Sequence, residues 1–141
     1  MTARPRRGVP ALALPALALA AGVVAAGVIA GAGRLRRVEV VGDSMRPTLE
    51  PGDRLLLWRG GRPRPGDLVA VADPRRRSRT VVKRLAGVVP AGLTVLGDNP
   101  AASTDSRTFG PVPPTDLRGR VVYRYAPASR RSAVRSGRVA R

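Results

Sequence analysis

Residues 67–85 read DLVAVADPRRRSRTVVKRL and contain two short apolar runs, 67–72 and 80–85, on either side of the turn signal Asp73-Pro74. Apolar runs of this length, bounded by Pro, Gly, Asp and Asn, are typical of β-strands. The same pattern returns at residues 38–41, 54–58, 93–96 and 120–125. Six short strands at this spacing predict a mainly β domain over residues 38–126, a small antiparallel sheet or partly closed barrel.

The segments outside this domain have a different character. Residues 8–33 carry no charge, and as a helix they would extend about 39 Å, enough to cross a bilayer core of about 30 Å. The sequence therefore predicts one transmembrane anchor over residues 8–33, after a basic N-terminal tail at residues 1–7. A cleaved signal peptide with Ala30-Gly31-Ala32 as its cleavage site is the alternative. Residues 127–141 are rich in Arg and Ser without periodicity and predict a basic, disordered tail.

Composition restricts the chemistry. The 141 residues have a net charge of +17 but include neither Cys nor His, which excludes zinc-thiolate sites, Cys nucleophiles and Ser-His pairs. A side-chain base at neutral pH must then be a carboxylate, a Lys or a Tyr. Of the 26 basic residues all are Arg except Lys83. With four aromatic residues and no basic-aromatic motif, the charge alone does not indicate nucleic-acid binding.

Lys83 is the strongest candidate for a base. Arg does not lose its proton in a protein, whereas a buried Lys can have its pKa lowered by several units. In the strand 80–85, alternation places Lys83 on the same face as Val81 and Leu85. Two apolar neighbours would desolvate the ammonium group and favour the neutral amine. A Lys whose charged end reaches solvent at a sheet edge is the alternative.

Ser44 is the candidate nucleophile. It lies just after the predicted strand 38–41, in the turn Gly42-Asp43-Ser44-Met45-Arg46-Pro47-Thr48. Gly42 permits a close approach of the backbone and Pro47 restricts the following turn. A Ser in such a turn can present its hydroxyl and a backbone N–H together. The alternative is that Ser44 is an ordinary Ser in a polar loop.

Ser44-Met45-Arg46-Pro47-Thr48 resembles the Ser-Met-x-Pro-Thr box of the type I signal peptidase family, which are membrane-bound Ser-Lys endopeptidases. Further boxes of that family follow in order and at compatible spacing between about Val40 and Arg124. These boxes are Gly52-Asp53-Arg54-Leu55, Gly66-Asp67-Leu68-Val69, Val82-Lys83-Arg84, Gly97-Asp98-Asn99, Ser103-Thr104-Asp105-Ser106-Arg107 and Phe109-Gly110.

The resemblance implies a role for each matching residue. Ser44 corresponds to the nucleophile, and Lys83 to the general base that acts as a neutral amine. Ser103 corresponds to the hydroxyl that orients the lysine amine. Asp105 and Arg107 correspond to an ion pair that supports the same loop. No metal or organic cofactor is implied.

Two residues next to the nucleophile correspond to the substrate pocket and the oxyanion hole. Met45 matches a residue that lines the pocket for the small residue before the cut. The Ser44 N–H would form part of the oxyanion hole. Gly42 stands where some members have a Ser whose hydroxyl serves as a second donor.

The resemblance also implies the substrate and the location. Members cut exported preproteins after small-x-small residues, and the substrate would bind as an extended strand. The catalytic domain would lie on the extracytoplasmic side of a cell membrane, in contact with lipid. The small size also resembles maturation peptidases dedicated to one substrate, such as the nickel-type superoxide dismutase maturation peptidase and the mitochondrial inner-membrane peptidase.

Two readings of other classes compete with this one. A self-cleaving repressor of the Ser-Lys type lacks the Gly-Asp-Asn box and carries a DNA-binding domain, so it does not fit. A basic, membrane-tethered β-domain that binds nucleic acid or anionic lipid fits the charge, but it leaves Ser44, Lys83 and Ser103 unexplained. We expect Arg75-Arg76-Arg77 and Arg79 to form a solvated or lipid-facing hairpin tip rather than part of a site.

Overall fold

Seven antiparallel strands form one sheet in the computed structural model, which describes residues 33–139. In space the strands follow the order β1-β2-β6-β3-β4-β5, and β7 pairs with β6. Between β5 and β6 lie one short α-helix, α1 (Ser106–Phe109), and two 3-10 turns, Pro100–Ala102 and Pro114–Asp116. The strands are β1 (Leu35–Glu39), β2 (Arg54–Trp58), β3 (Leu68–Asp73), β4 (Arg76–Val89), β5 (Gly92–Leu96), β6 (Leu117–Ala126) and β7 (Ser132–Ala133). The predicted mainly β, antiparallel class is confirmed.

The sheet is open rather than a partly closed barrel. Among residues 33–139, β1 pairs with β2 alone and β5 pairs with β4 alone, apart from one isolated bridge between Leu93 and Val112. These two strands are therefore the edges of the sheet. An alternating apolar pattern predicts strands and their faces, but it carries no information on whether the first and last strands meet.

The strand β3 is central and is buried on both faces. Leu68 and Ala70 belong to a first hydrophobic core, whereas Val69 and Val71 belong to a second. A continuous apolar run is what a strand covered on both sides requires, which explains why residues 68–72 contain no polar position. The first core also contains Val40, Met45, Leu49, Leu55, Leu57 and Val121, and the second contains Leu85, Leu93, Val95 and Val112.

The long strand β4 changes partners halfway along its length. Arg76 to Arg84 pair with β3, and Arg84 to Val89 pair with β5. Consequently residues 76–83 have a β-strand partner on one side only within the described part of the chain. The pattern predicts this strand at 80–85, but it begins at Arg76 because the hairpin closes between Asp73 and Arg76.

The predicted anchor, residues 8–33, lies outside the described residues except for Gly33. From residue 33 to residue 139, no helix has the length and apolar character needed to cross a membrane.

The C-terminal segment differs from the disordered tail expected over residues 127–141. Up to residue 139 it contains a 3-10 turn, Ala128–Arg130, and the strand β7. The guanidinium of Arg130 pairs with Glu50 at 2.6 Å and with the buried Asp53 at 3.2 Å, and Val134 packs against the first core. The composition of this segment predicts solvated arginines, because it does not reveal which carboxylates lie near them in the folded chain.

Candidate active site

Lys83 lies on β4 opposite Val69, with only 3% of its surface exposed. Its neighbours along the strand, Val81 and Leu85, both contact the second core, as the alternation predicts. The ammonium nitrogen donates a hydrogen bond of 3.1 Å to Ser103 Oγ. This environment removes the amine from solvent on the face that the sequence pattern indicates.

Burial lowers the pKa of Lys83 below the usual lysine value of 10.5. The nearby carboxylate of Asp105 opposes this effect, and the positive charges of Arg75 and Arg79 reinforce it. Desolvation disfavours the charged form of an amine. The net result is a lysine that loses its proton more readily than a lysine in water.

Behind Ser103 a buried carboxylate holds the hydroxyl in place. Ser103 Oγ donates to Asp105 Oδ2 at 2.7 Å, and the Gly97 N–H donates to the same oxygen at 2.8 Å. Arg107 pairs with Asp105 at 2.6 Å. Burial alone would raise the pKa of Asp105, but the hydrogen bonds from Arg107, Gly97 and Ser103 hold it well below the usual range. Asp105 therefore stays ionised, and Lys83, Ser103 and Asp105 form a continuous chain of hydrogen bonds.

The local sequence explains why this loop is rigid. Asp105 is the N-cap of α1 and accepts a hydrogen bond from the Arg107 N–H, which is the usual role of Asp at the start of a helix. The next residue, Ser106, accepts a hydrogen bond from the Val95 N–H at 2.9 Å. The loop is thereby fastened both to its own helix and to β5.

Ser44 lies in the turn after β1, between an exposed and a buried residue. Gly42 has φ +86°, a conformation that favours glycine, and Met45 is 1% exposed within the first core. Met45 anchors the turn because its carbonyl also accepts a hydrogen bond from the Leu49 N–H. Within residues 33–139 the Ser44 N–H donates no hydrogen bond, so it remains available to a ligand.

A second loop ties the Ser44 turn to the Lys83 chain. The Asn99 N–H donates to the Ser44 carbonyl at 2.9 Å, and Asn99 Nδ2 donates to the Asp43 carbonyl at 3.2 Å. At Gly97 a Cβ atom would overlap Ser103 Oγ and would stand 2.7 Å from the Ser44 carbonyl oxygen. Gly97 is therefore the point where the two halves of the site touch.

A partly buried ion pair at the residue after Lys83 has no role assigned to it by the sequence pattern. Arg84 donates to both oxygens of Asp98, at 2.8 and 2.6 Å, and to the Gly66 carbonyl at 2.7 Å. Thr48 Oγ1 donates to the same carboxylate at 2.6 Å. The residue after Lys83 is thus linked to the end of the Ser44 turn. Arg84, Asp98 and Thr48 stand in the boxes quoted above, so the resemblance contains the signal that could have found this network.

Ser44 and Lys83 line one cavity of about 600 Å³. We call this cavity the groove. One wall consists of residues 38–45, which include Gly42 and Met45, and the other is formed by β4 between Arg76 and Lys83. Ala102 and Thr104 complete the lining, while Ser103 contacts Lys83 from behind. The two residues that line this cavity together are therefore Lys83, whose amine has a lowered pKa, and Ser44, whose backbone N–H donates no hydrogen bond within residues 33–139.

The arginines of the β3–β4 hairpin differ from expectation. Arg75, Arg76 and Arg79 line the groove, whereas Arg77 pairs with Asp116 at 2.6 Å. This arrangement could not be predicted from the sequence. A run of arginines in a turn has no periodicity that would indicate which side chains lie beside a site. Within the described residues, no group of three or more acidic, His or Cys side chains could hold a metal ion.

Comparison with known proteins identifies a matching family and several relatives of this chain. The family described as "Signal peptidase, peptidase S26" matches residues 12–92 and 88–126. Mitochondrial ATP-independent inner membrane protease subunit 1b of Arabidopsis thaliana is 35% identical over 113 residues, covering 61% of this chain and 67% of the relative. Subunit 1a of the same plant is 37% identical over 115 residues, covering 62% and 68%.

A human relative is also named an inner membrane protease subunit. Mitochondrial inner membrane protease subunit 1 of Homo sapiens is 30% identical over 112 residues, covering 62% of this chain and 68% of the relative. The family match spans most of the chain and includes the Ser44 turn, the Lys83 strand and the loop that carries Asp105. The resemblance first seen in the sequence boxes is confirmed. The chain therefore belongs to the signal peptidase family of serine proteases, peptidase S26.

Proposed function

We propose that this chain is a membrane-anchored serine endopeptidase whose Ser44 and Lys83 form a Ser-Lys dyad. It removes signal peptides or pro-peptides from exported proteins after small-x-small sites. The observation that carries the proposal is the buried Lys83 amine, held by Ser103 and lining the same groove as the Ser44 hydroxyl. A basic β-domain that binds only lipid or nucleic acid has no use for this arrangement.

The mechanism follows from the chemistry of these groups. The neutral Lys83 amine accepts the Ser44 proton as the hydroxyl oxygen attacks the scissile carbonyl carbon. The carbonyl oxygen becomes an oxyanion, to which the Ser44 N–H donates a hydrogen bond. As the intermediate collapses, the Lys83 ammonium returns its proton to the leaving amine and an acyl-enzyme remains. Lys83 then accepts a proton from water as the water oxygen attacks the ester carbonyl carbon. When the ester bond breaks, the Lys83 ammonium returns this proton to Ser44 Oγ, which restores the hydroxyl and the neutral amine.

Ser103 and Asp105 position the base rather than react. Because Ser103 Oγ donates its own hydrogen to Asp105, its lone pairs face Lys83 and accept an N–H. One N–H of the amine is therefore oriented away from the groove, which leaves the nitrogen lone pair free to face the nucleophile. The ionised Asp105 stabilises the protonated amine that forms during attack, while burial keeps the resting amine readily deprotonated.

The unpaired strand edges support a substrate bound in extended form. β1 is an edge of the sheet, and residues 76–83 of β4 pair on one side only. Both segments line the groove, and an added strand can satisfy the backbone groups of such edges. Gly42 and the buried Met45 lie next to the nucleophile, where a small side chain before the cut would fit.

Membrane attachment is also proposed. The relatives are named inner membrane proteases, and the uncharged residues 8–33 are long enough to span a bilayer. In this arrangement the segment is a single anchor and the domain lies on the extracytoplasmic side, where exported preproteins emerge. A panel of several preproteins decides between general processing and maturation of one dedicated substrate, such as a nickel-type superoxide dismutase.

The test uses the full chain in neutral detergent with a preprotein that contains an Ala-x-Ala site. N-terminal sequencing of the product should place the cut directly after that site. Ser44→Ala, Lys83→Ala and Lys83→Arg should each abolish cleavage, whereas Ser129→Ala, at an exposed turn, should retain it. Circular dichroism checks that the variants are folded. Cleavage by either folded variant, Ser44→Ala or Lys83→Arg, would refute the dyad. The first lacks the nucleophilic hydroxyl, and in the second the Arg remains protonated.

A further inference from the structure

The groove has an arginine-rich end as well as a catalytic end. Arg75, Arg76 and Arg79 line the same cavity as Ser44 and Lys83, and all three are exposed. At a rise of about 3.3 Å per residue, Arg79 stands about 13 Å along β4 from Lys83. The register shifts between Ala72 and Asp73, so Arg76 pairs with Asp73 and not with a more distant position. Along β3, Asp73 stands about 13 Å from Val69, the partner of Lys83, so Arg76 is at a similar distance. A peptide that runs through the groove in extended form must therefore pass these guanidinium groups.

The two carboxylates that line the groove pair with arginines other than these three. Glu39 pairs with Arg54 at 3.4 Å and Asp43 pairs with Arg46 at 2.8 Å, so both carboxylates have partners of their own. At the hairpin, Arg75 pairs with the buried Asp73 at 3.0 Å.

The remaining two arginines have no such partner. Within residues 33–139, Arg76 and Arg79 form no ion pair and donate no side-chain hydrogen bond. Arg77, which lies between them in sequence, pairs with Asp116 and is absent from the groove lining. The positive charge of this end of the groove is therefore not balanced by neighbouring carboxylates.

We propose that Arg76 and Arg79, assisted by Arg75, select substrates that carry an acidic side chain about four to five residues from the scissile bond. This inference rests on the proposed peptidase function and names a substrate class for it. The groove leads from the dyad towards the hairpin in one direction, so the preference applies to one side of the bond only. A guanidinium group presents paired donors to a carboxylate, and Asp or Glu at these positions supplies the acceptor.

Anionic lipid is the other class of partner that such arginines attract. Two observations favour the peptide. The three arginines line the cavity that contains Ser44, and the unpaired edge of residues 76–83 offers backbone hydrogen bonds to an extended chain beside them. A lipid headgroup would use the charges but not the strand edge.

The experiment compares matched peptides in neutral detergent. Each contains the same small-x-small site with Asp, Asn or Lys placed five residues before or five residues after the bond. For the wild-type chain we expect kcat/KM about fivefold higher with Asp than with Asn on one side, and lower again with Lys. An exposed ion pair has about this effect. The ratio should shrink in 1 M salt, where charges are screened within about 3 Å.

Variants then assign the preference to the arginines. In the double variant Arg76→Gln/Arg79→Gln the Asp-to-Asn ratio should fall to about one, and Arg79→Glu should favour the Lys peptide. Arg62→Gln removes an exposed arginine outside the groove and should keep the wild-type ratio. Because each ratio compares two peptides on one enzyme, a change in the base itself cancels.

The outcomes separate this inference from the proposed function. Ser44-dependent cleavage with a ratio of one, or a ratio that the double variant does not change, overturns the acidic preference and leaves the peptidase intact. Absence of Ser44-dependent cleavage of every peptide overturns the peptidase, and with it this inference.

Binding of fluorescent peptides to the inactive Ser44→Ala chain should give the same Asp preference. Loss of binding to anionic but not neutral vesicles in the double variant, with no change in peptide preference, assigns the arginines to lipid instead.

Discussion

The Lys83 amine donates a 3.1 Å hydrogen bond to Ser103 Oγ, which in turn donates to the buried Asp105 carboxylate at 2.7 Å. Two opposing effects act on the amine as a result. Burial lowers the pKa of the amine, whereas the negative charge of Asp105, which lies on the far side of the Ser103 hydroxyl, raises it. Burial prevails, so the amine is poised to accept a proton and still has a nearby negative charge to stabilise it once protonated.

Activity should rise with pH along the titration of Lys83. In the proposed mechanism the neutral amine is the active form, and its pKa lies below 10.5, so kcat/KM should increase from acid pH and level off below the usual lysine value. A pH series with a neutral peptide measures this. A profile that is flat from acid to alkaline pH would contradict a titrating amine.

Removal of two groove arginines should shift this profile. Arg75 and Arg79 lower the pKa of Lys83 by charge repulsion, so Arg75→Gln/Arg79→Gln should move the rising limb to higher pH and reduce activity below the plateau. The peptide must be neutral, so that substrate selection does not contribute. Arg62→Gln is the control and should leave the limb in place, and an unshifted limb in the double variant would count against the electrostatic coupling.

Ser103→Ala should impair the base without affecting substrate binding. Loss of the hydroxyl releases the amine from its orientation, and misplacement of about 1 Å can reduce a rate about a hundredfold. We expect kcat to fall by this order while KM changes little. Steady-state kinetics measure the two parameters separately, with Ser129→Ala as the matched control. Equal kcat in both variants would show that Ser103 does not position Lys83.

Asp105→Asn should destabilise the fold in a pH-dependent manner. The folded-state pKa of Asp105 lies below its ordinary value of 3.8, so its contribution is complete above that value and is lost as the pH falls through and below it. The free energy of unfolding should drop by about 2 kcal/mol at pH 7, since the hydrogen bonds to the charged group are weakened. Urea unfolding at pH 7 and at pH 3 measures the difference, which should shrink at pH 3. A pH-independent difference would contradict this assignment.

Gly97→Ala should disrupt the junction between the two halves of the site. The new methyl would overlap Ser103 Oγ and crowd the Ser44 carbonyl, at a cost of about 1–3 kcal/mol in stability and with loss of most activity. Gly87→Ala is the matched control, because a Cβ there meets no atom within 4 Å. Thermal unfolding and peptide cleavage report both effects. Wild-type activity in Gly97→Ala would show that the junction tolerates movement.

The strands themselves follow from local sequence. Apolar runs between turn signals predicted six strands, and β2 begins and ends where its run does, at Arg54–Trp58. The face of Lys83 was also predictable, because alternation along a strand is a property of the backbone. The ends of β1 and β4 were not, since they depend on where a hairpin partner lies.

The site was predictable only in part. Lys83 was a candidate because the chain has a single Lys and neither His nor Cys. Ser44 was indicated by its turn and by the family boxes, and Ser103 by the family boxes alone. Their assembly depends on contacts such as that between Asn99 and the Ser44 carbonyl, which join loops more than 50 residues apart. Local periodicity along the sequence does not indicate which distant loops come into contact.

The sequence by itself determined the β class, the face of Lys83 and the family, because these depend on neighbouring residues and on motif order. Tertiary structure alone decided that β4 exchanges β3 for β5 at Arg84 and so leaves residues 76–83 with an unpaired edge. It also decided which arginines are paired: Arg130 and Arg77 have carboxylate partners, whereas Arg79 lines the groove. The physical reason is that a charge interacts with whatever lies within a few ångströms in space, and the folded sheet sets those neighbours.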